Sequence, residues 1–177
     1  MTKFRELTYL QNGNPRQRSS YRVLSELELF EKLKAYYPIL TGTIPIGIDL
    51  PDSDLDIICT LKDPLAFQLM LDKLFSAYEN YTSYITDQNE VIGRFDHDGC
   101  TIEIYGHSTP SHQQNAYLHM LKEDEILRTF GQAFKTTILK LKAEGLKTEP
   151  AFAKALGLKG DPYKSLLNYT IDPNYEP

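Results

Sequence analysis

Asp54 and Asp56 stand two residues apart, separated by Leu55 and followed by Ile57. In an extended strand alternate side chains point to the same face, so the two carboxylates project together while Leu55 and Ile57 turn toward a core. Carboxylates held that close repel each other unless a cation or a proton intervenes. Mg²⁺ favours such oxygen ligands, commonly one or two carboxylates completed by water and substrate phosphate. Upstream, the apolar Ile39-Leu40 run ends at Thr41-Gly42-Thr43, and ten residues separate Thr43 from Asp54. The Gly42-Thr43 turn offers backbone N–H groups and a hydroxyl on which a phosphate can rest. A further carboxylate, Glu103, sits in Cys100-Thr101-Ile102-Glu103-Ile104-Tyr105, where Ile102 and Ile104 take one face and Thr101, Glu103 and Tyr105 the other. If that strand lies beside the aspartates, Glu103 joins them in one metal-binding cluster. A phosphate cradle beside metal-binding carboxylates equips a site for phosphoryl or nucleotidyl transfer. The bland alternative makes Asp52-Ser53-Asp54 a solvated turn, with Asp56 paired to a lysine such as Lys62. Glu103 favours the cluster, because a carboxylate in an otherwise apolar strand needs a partner.

Gly42 and Thr43, the Asp54-Leu55-Asp56 triplet and the later strand carboxylate Glu103 together resemble the DNA polymerase β-type nucleotidyltransferase superfamily. The fuller text Gly42-Thr-Ile-Pro-Ile-Gly-Ile-Asp-Leu-Pro-Asp-Ser-Asp-Leu-Asp-Ile57, with Gln114-Asn115-Ala116-Tyr117-Leu118-His119-Met120, is similar to a small bacterial family of nucleotidyltransferase-like proteins, related in pattern to GrpB-like proteins. The resemblance implies an α/β (α+β) fold, a mixed sheet flanked by helices with further helices at the C-terminal end. It implies Asp54, Asp56 and Glu103 as ligands of two Mg²⁺ ions and an NTP substrate whose β- and γ-phosphates rest on Gly42 and Thr43. The acceptor would be a small molecule, a protein or an RNA end. It also suggests nucleotide contacts at Ser53, at Tyr117 through base stacking, and at Lys122 through the triphosphate. Two departures matter: Thr43 stands where serine is usual, and no arginine follows the Gly-Thr turn. They leave room for a nucleotide- or partner-binding module without turnover, or for a metal-dependent phosphohydrolase using the same carboxylates.

Composition sets the outer bounds. With 177 residues, one domain is the expectation: residues 1–110 as the nucleotidyltransferase-like core and 111–177 as a helical extension packed on it. Apolar content of 41%, charged content of 24% and a formal charge of −5 describe an ordinary acidic globular chain. That balance argues against duplex DNA as a partner. Neither an apolar leader after Met1 nor a run long enough to span a bilayer is visible, so a cytoplasmic location is expected, with Cys59 and Cys100 reduced.

The elements that must position these residues follow from periodicity. A short helix is expected over 3–10, then a longer one over 16–35 with Val23, Leu24, Leu27, Phe30 and Leu33 on one stripe. Arg16 and Arg18 at its start read either as contacts for phosphate or an acidic partner, or as a solvated basic turn. Strands are expected at 39–41, 54–60, 81–86, 90–96 and 100–105, with Asp63-Pro64 opening a helix between the second and third. Asp96-His97-Asp98-Gly99 reads as a hairpin turn rather than a metal loop. Arg94, on the strand facing Glu103, contacts phosphate if the register brings it to the same face. Helices are expected at 111–128, 131–144, 149–156 and 162–168, with a frayed tail from Ile171. His107, His112 and His119, spaced by five and seven residues, do not share a helical face, which argues against a zinc site built from them.

Overall fold

Alternation along the strands sorts the side chains to two faces, and each face gathers its own helices. The computed structural model describes residues 3–172. Its sheet is made of β1 (Ile39–Thr41), β2 (Leu55–Thr60), β3 (Glu79–Ile85), β4 (Val91–His97) and β5 (Cys100–His107), ordered β1-β2-β5-β4-β3. β2 runs parallel to β5, and the other neighbours are antiparallel. Leu55, Ile57 and Cys59 of β2, Ile102 and Ile104 of β5, and Val91 and Phe95 of β4 all turn to one side. There they meet Val23 and Leu24 of α1 (Pro15–Glu26) and Phe67, Leu71 and Phe75 of α3 (Pro64–Phe75). On the other face, Ile39 and Ile58 pack with Met120, Ile126 and Ile138 of α4 (Asn115–Ala143), Phe152 of α5 (Thr148–Ala155) and Leu166 of α6 (Pro162–Leu167). That second cluster sits over the β1–β2 side and reaches β5 at Tyr105.

The expected mixed α/β fold with C-terminal helices is what the chain adopts. Caps fall where the side chains call for them. Asp63 accepts from the Ala66 amide ahead of Pro64, and Asp161 accepts from the amides of Tyr163 and Lys164 ahead of Pro162. The Asp98-Gly99 pair takes positive φ in the hairpin between β4 and β5. Two helix expectations need correction. Residues 16–35 do not form one helix: α1 ends at Glu26, Glu28 turns left-handed at φ 49°, and a short α2 (Leu29–Lys32) follows. Leu27 and Leu29 lie two positions apart, on opposite sides of an unbroken helix, yet both are buried. Only a break lets them share a core. The helix expected from residue 111 starts at Asn115, after a single 3-10 turn over Ser111–Gln113. Its interruption near residue 130 is real, with Gly131 at φ 73° inside α4. The tail expected to fray lies, from residue 173 on, outside the described residues.

Gly106 shows how closely α3 presses on the sheet. A Cβ there would stand 2.6 Å from Leu61 Cδ2 and 2.7 Å from the Phe67 ring. Gly106→Ala is therefore expected to lower stability by about 1–3 kcal/mol through overpacking. The denaturant midpoint is the readout, and an unchanged midpoint would mean that Phe67 is free to move.

Candidate functional site

Register decides the site. Thr41 pairs with Asp56, Asp56 with Glu103, and Glu103 with Arg94, so one row of residues runs across four strands on the open face of the sheet. Asp54, two residues before Asp56, lies just ahead of β2. The guanidinium of Arg94 reaches both remaining carboxylates, with Nη1 3.5 Å from Asp54 Oδ2 and 3.5 Å from Glu103 Oε2. Asp54, Asp56, Glu103 and Arg94 are thus brought together, as the alternation and the parallel pairing require.

Their environments differ. Burial pushes the Asp56 carboxyl up to about 7, with the charges of Asp54 and Glu103 adding to the effect and Arg94 opposing it. Glu103 is raised by burial and by Asp54. The site therefore carries more negative charge than its surroundings neutralise, and Arg94 is its only ion-pair partner among the described residues. Asp56 sits directly over the Gly-Thr turn. Gly42 has φ +78°, and a Cβ there would collide with Oδ2 of Asp56. A residue with a side chain would face both the left-handed backbone and the carboxylate.

The loop from Gly42 to Asp54 is held from two sides. From α1, Gln17 Nε2 donates to the carbonyls of Ile44 at 2.9 Å and Pro45 at 3.0 Å, and Arg16 Nη2 donates to the Ser53 carbonyl at 2.7 Å. From α4, Lys142 Nζ donates to the Ile48 carbonyl at 2.6 Å. Arg16 thus anchors the loop, which sets aside both the phosphate contact and the solvated turn expected of it. Ser53 Oγ accepts from the Leu50 amide at 2.9 Å and lies 3.3 Å from Thr43 Oγ1. It braces the loop beside the turn.

A cavity of about 560 Å³ opens over the row. Thr41, Gly42, Thr43, Asp56 and Glu103 line it from the sheet side, and Gln114 just ahead of α4, His119 and Glu123 of α4 and Glu149 of α5 line it from the helices. Tyr117 and Lys122 are not on it. Tyr117 is buried in the second apolar cluster, and Lys122 is paired with Glu125 at 2.7 Å. Helical phase is the reason: positions 116, 119, 120 and 123 share the cavity face, and 117 and 122 do not.

Sequence reasoning missed one group. His119, Glu123 and Glu149 each bring a ligand-capable atom within 4.8 Å of the others. Burial drives the Glu123 carboxyl up to about 8, Glu149 adds to this and Lys142 opposes it. Burial also pushes the His119 imidazole down. The His119-x-x-x-Glu123 spacing is a local signal that was available. Glu149 arrives only through the packing of α5 on α4.

Against solved structures, the chain resembles the Cid1 poly(U) polymerase with MgGTP bound, at TM-score 0.56 and 13% identity over 77% of this chain and 46% of that one. It resembles the GLD-2/RNP-8 complex at TM-score 0.58 and 10% identity, over 85% of this chain and 61% of that one. Cid1 in complex with the UTP analogue UMPNPP gives TM-score 0.54 and 14% identity, over 85% of this chain and 52% of that one. The chain spans about half the length of these structures, and at such identities the likeness establishes a shared fold and nothing finer. No curated protein matches the sequence. One family model covers residues 22–169, which take in the whole sheet, the carboxylate row and the C-terminal helices, and by that match the chain belongs to the family described as Domain of unknown function (DUF4269).

Proposed function

We propose that this chain binds a nucleoside triphosphate with Mg²⁺ and transfers its nucleotidyl group to an acceptor hydroxyl. The observation that carries the reading is the in-register pairing of Asp56 with Glu103 over the Gly42 turn, with Asp54 close enough to share Arg94. The donor set fits a hard divalent cation: oxygen ligands only, in excess negative charge, one of them buried and held up to about 7. Bound there by Asp54, Asp56 and Glu103, Mg²⁺ supplies neutralisation of triphosphate charge and polarisation of the attacking oxygen. The residues do the rest. Glu103, raised by burial and by Asp54, is the carboxylate suited to take the proton of the acceptor hydroxyl. Gly42 and Thr43 hold phosphate at the turn, and the residues of α4 and α5 complete the lining of the cleft. In this reading residues 1–110 are the catalytic core and 111–177 close its cavity within a single domain. Cys59 and Cys100 are free and buried, which supports a reducing, cytoplasmic setting. Among the described residues no helix is long and apolar enough to cross a membrane.

A second reading has its own observation. Arg94 already bridges Asp54 and Glu103, and the cavity lining holds no Lys or Arg to grip a triphosphate. A binding module that lost turnover would look like this. Arg94→Gln separates the two: as a displaceable counter-ion its loss tightens Mg²⁺ binding by about two- to fivefold, a change on the scale of one partly exposed ion pair. Unchanged Mg²⁺ affinity in calorimetry would favour Arg94 as the resident cation of a non-catalytic site.

Transfer itself is tested with α-labelled NTPs and Mg²⁺. Wild type is expected to pass label to an acceptor, and Asp56→Asn to abolish it while retaining the fold. Absence of binding for all four NTPs in calorimetry would overturn the reading, and release of phosphate with no nucleotide transferred would redirect it to hydrolysis.

Asp56 also makes a stability prediction for the metal-free protein. Its carboxyl titrates near 7 when folded and near 3.8 when unfolded, so the folded state binds the extra proton between these values. Stability therefore falls as pH rises through that window and levels off above about 7. At about 1.4 kcal/mol per unit, the charged form costs on the order of 4 kcal/mol. Asp56→Asn is expected to stabilise the metal-free protein at pH 8 and much less at pH 5, as read from unfolding midpoints at the two pH values. Equal effects at both would show that Asp56 is ionised throughout.

A further inference from the structure

We propose that His119, Glu123 and Glu149 form a second metal site, one that takes a borderline divalent transition ion such as Zn²⁺ and faces the same cavity. His119 and Glu123 are four residues apart on α4 and so share one helical face, while Glu149 comes from the first turn of α5. One ring nitrogen and two carboxylate oxygens already lie within 4.8 Å of one another. Metal–ligand distances of about 2.0–2.2 Å ask for ligand separations of about 3.5 Å in a tetrahedron, so closure needs side-chain shifts on the order of 1 Å.

The observation that points to a ligand is the histidine. His119 is 5% exposed, and its Nδ1 is fully buried with no hydrogen-bond partner among the described residues. A buried polar atom left so is costly unless something binds it. The edge-on ring of Tyr163, 6.0 Å away at an interplanar angle of 88°, helps to hold the imidazole in place. Glu123 is 4% exposed and has Lys142 as its nearby positive charge. Lys142 is tied to the Ile48 carbonyl, so it moderates the carboxylate without occupying the cluster.

The donor set selects the ion. An imidazole with two carboxylates suits Zn²⁺ or a neighbouring transition ion, whereas Mg²⁺ prefers oxygen alone. Three protein ligands leave a fourth position for water or a substrate oxyanion. All three residues line the cavity opposite Asp56 and Glu103, so that position opens toward whatever the cleft holds. The site would also clamp α5 to α4. None of this depends on nucleotidyl transfer taking place.

The test is Zn²⁺ titration of chelator-treated protein against a colorimetric indicator, with Co²⁺ absorption as a second probe. Wild type is expected to bind one tight equivalent, beyond any ion held at the Asp54–Asp56–Glu103 row, and to show a visible Co²⁺ spectrum. His119→Gln and Glu149→Gln should each weaken binding by at least about thirtyfold; Glu149 is half-buried, so that variant stays informative if the histidine variant fails to fold. Asp54→Asn/Asp56→Asn should retain the ion. Failure of wild type to bind Zn²⁺ at micromolar concentration overturns the proposal. So does binding that survives Glu149→Gln, or binding lost in the double aspartate variant.

Discussion

Like charges gathered in a low-dielectric place are what the structure must accommodate. Asp56 is mostly shielded from water and faces Asp54 and Glu103, and a single half-exposed arginine answers them. Left in water, the three carboxylates would keep apart. Here the backbone forbids that: parallel pairing of β2 with β5 sets Asp56 beside Glu103, and the ladder hydrogen bonds of two central strands hold them there. The repulsion is thus stored by the sheet and offset by the apolar cores on its two faces. Carboxylates perturbed in this way cluster at functional sites.

The remaining architecture serves that arrangement. The Gly42–Asp54 loop could not present its turn to Asp56 unless it were fixed, and it has few apolar anchors beyond Ile44, Ile46 and Ile48. Polar side chains from both layers do the fixing, with Arg16 and Gln17 from α1 and Lys142 from α4 all donating to loop carbonyls. The two helical layers thus meet through the loop as well as through the sheet.

Incomplete covering of one face makes the cavity. α1 and α3 seal the side carrying Leu55, Ile57, Ile102 and Ile104. The C-terminal helices cover the β1–β2 side of the opposite face and meet β5 at Tyr105, so Glu103 and His107 share one cavity with His119, Glu123 and Glu149. Acidic groups thus stand on both walls of one cleft. Among the described residues that line the cleft there is no lysine or arginine, so Arg94 and Lys142 answer these acidic groups from outside the lining.

Much of this was legible from residue spacing, because a strand's alternation is a local property. Asp54 with Asp56, Ile102 with Ile104 and the caps at Asp63 and Asp161 all follow from the nearest few residues, and the turn at Gly42 from its glycine. Where two apolar demands compete within one helix, as at Leu27 and Leu29, local periodicity misleads and the core prevails. Tyr117 and Lys122 lie off the cavity lining for a related reason: which face of α4 turns to the cleft is set by packing on the sheet and on α5, and the helix's own periodicity does not reveal it. Register between strands and the meeting of α5 with α4 are long-range matters of packing. They alone set Arg94 against Glu103 and Glu149 against His119. The chain by itself determined which residues share a face; only the tertiary structure decided which faces meet, because the energy that brings them together comes from burial shared among distant segments.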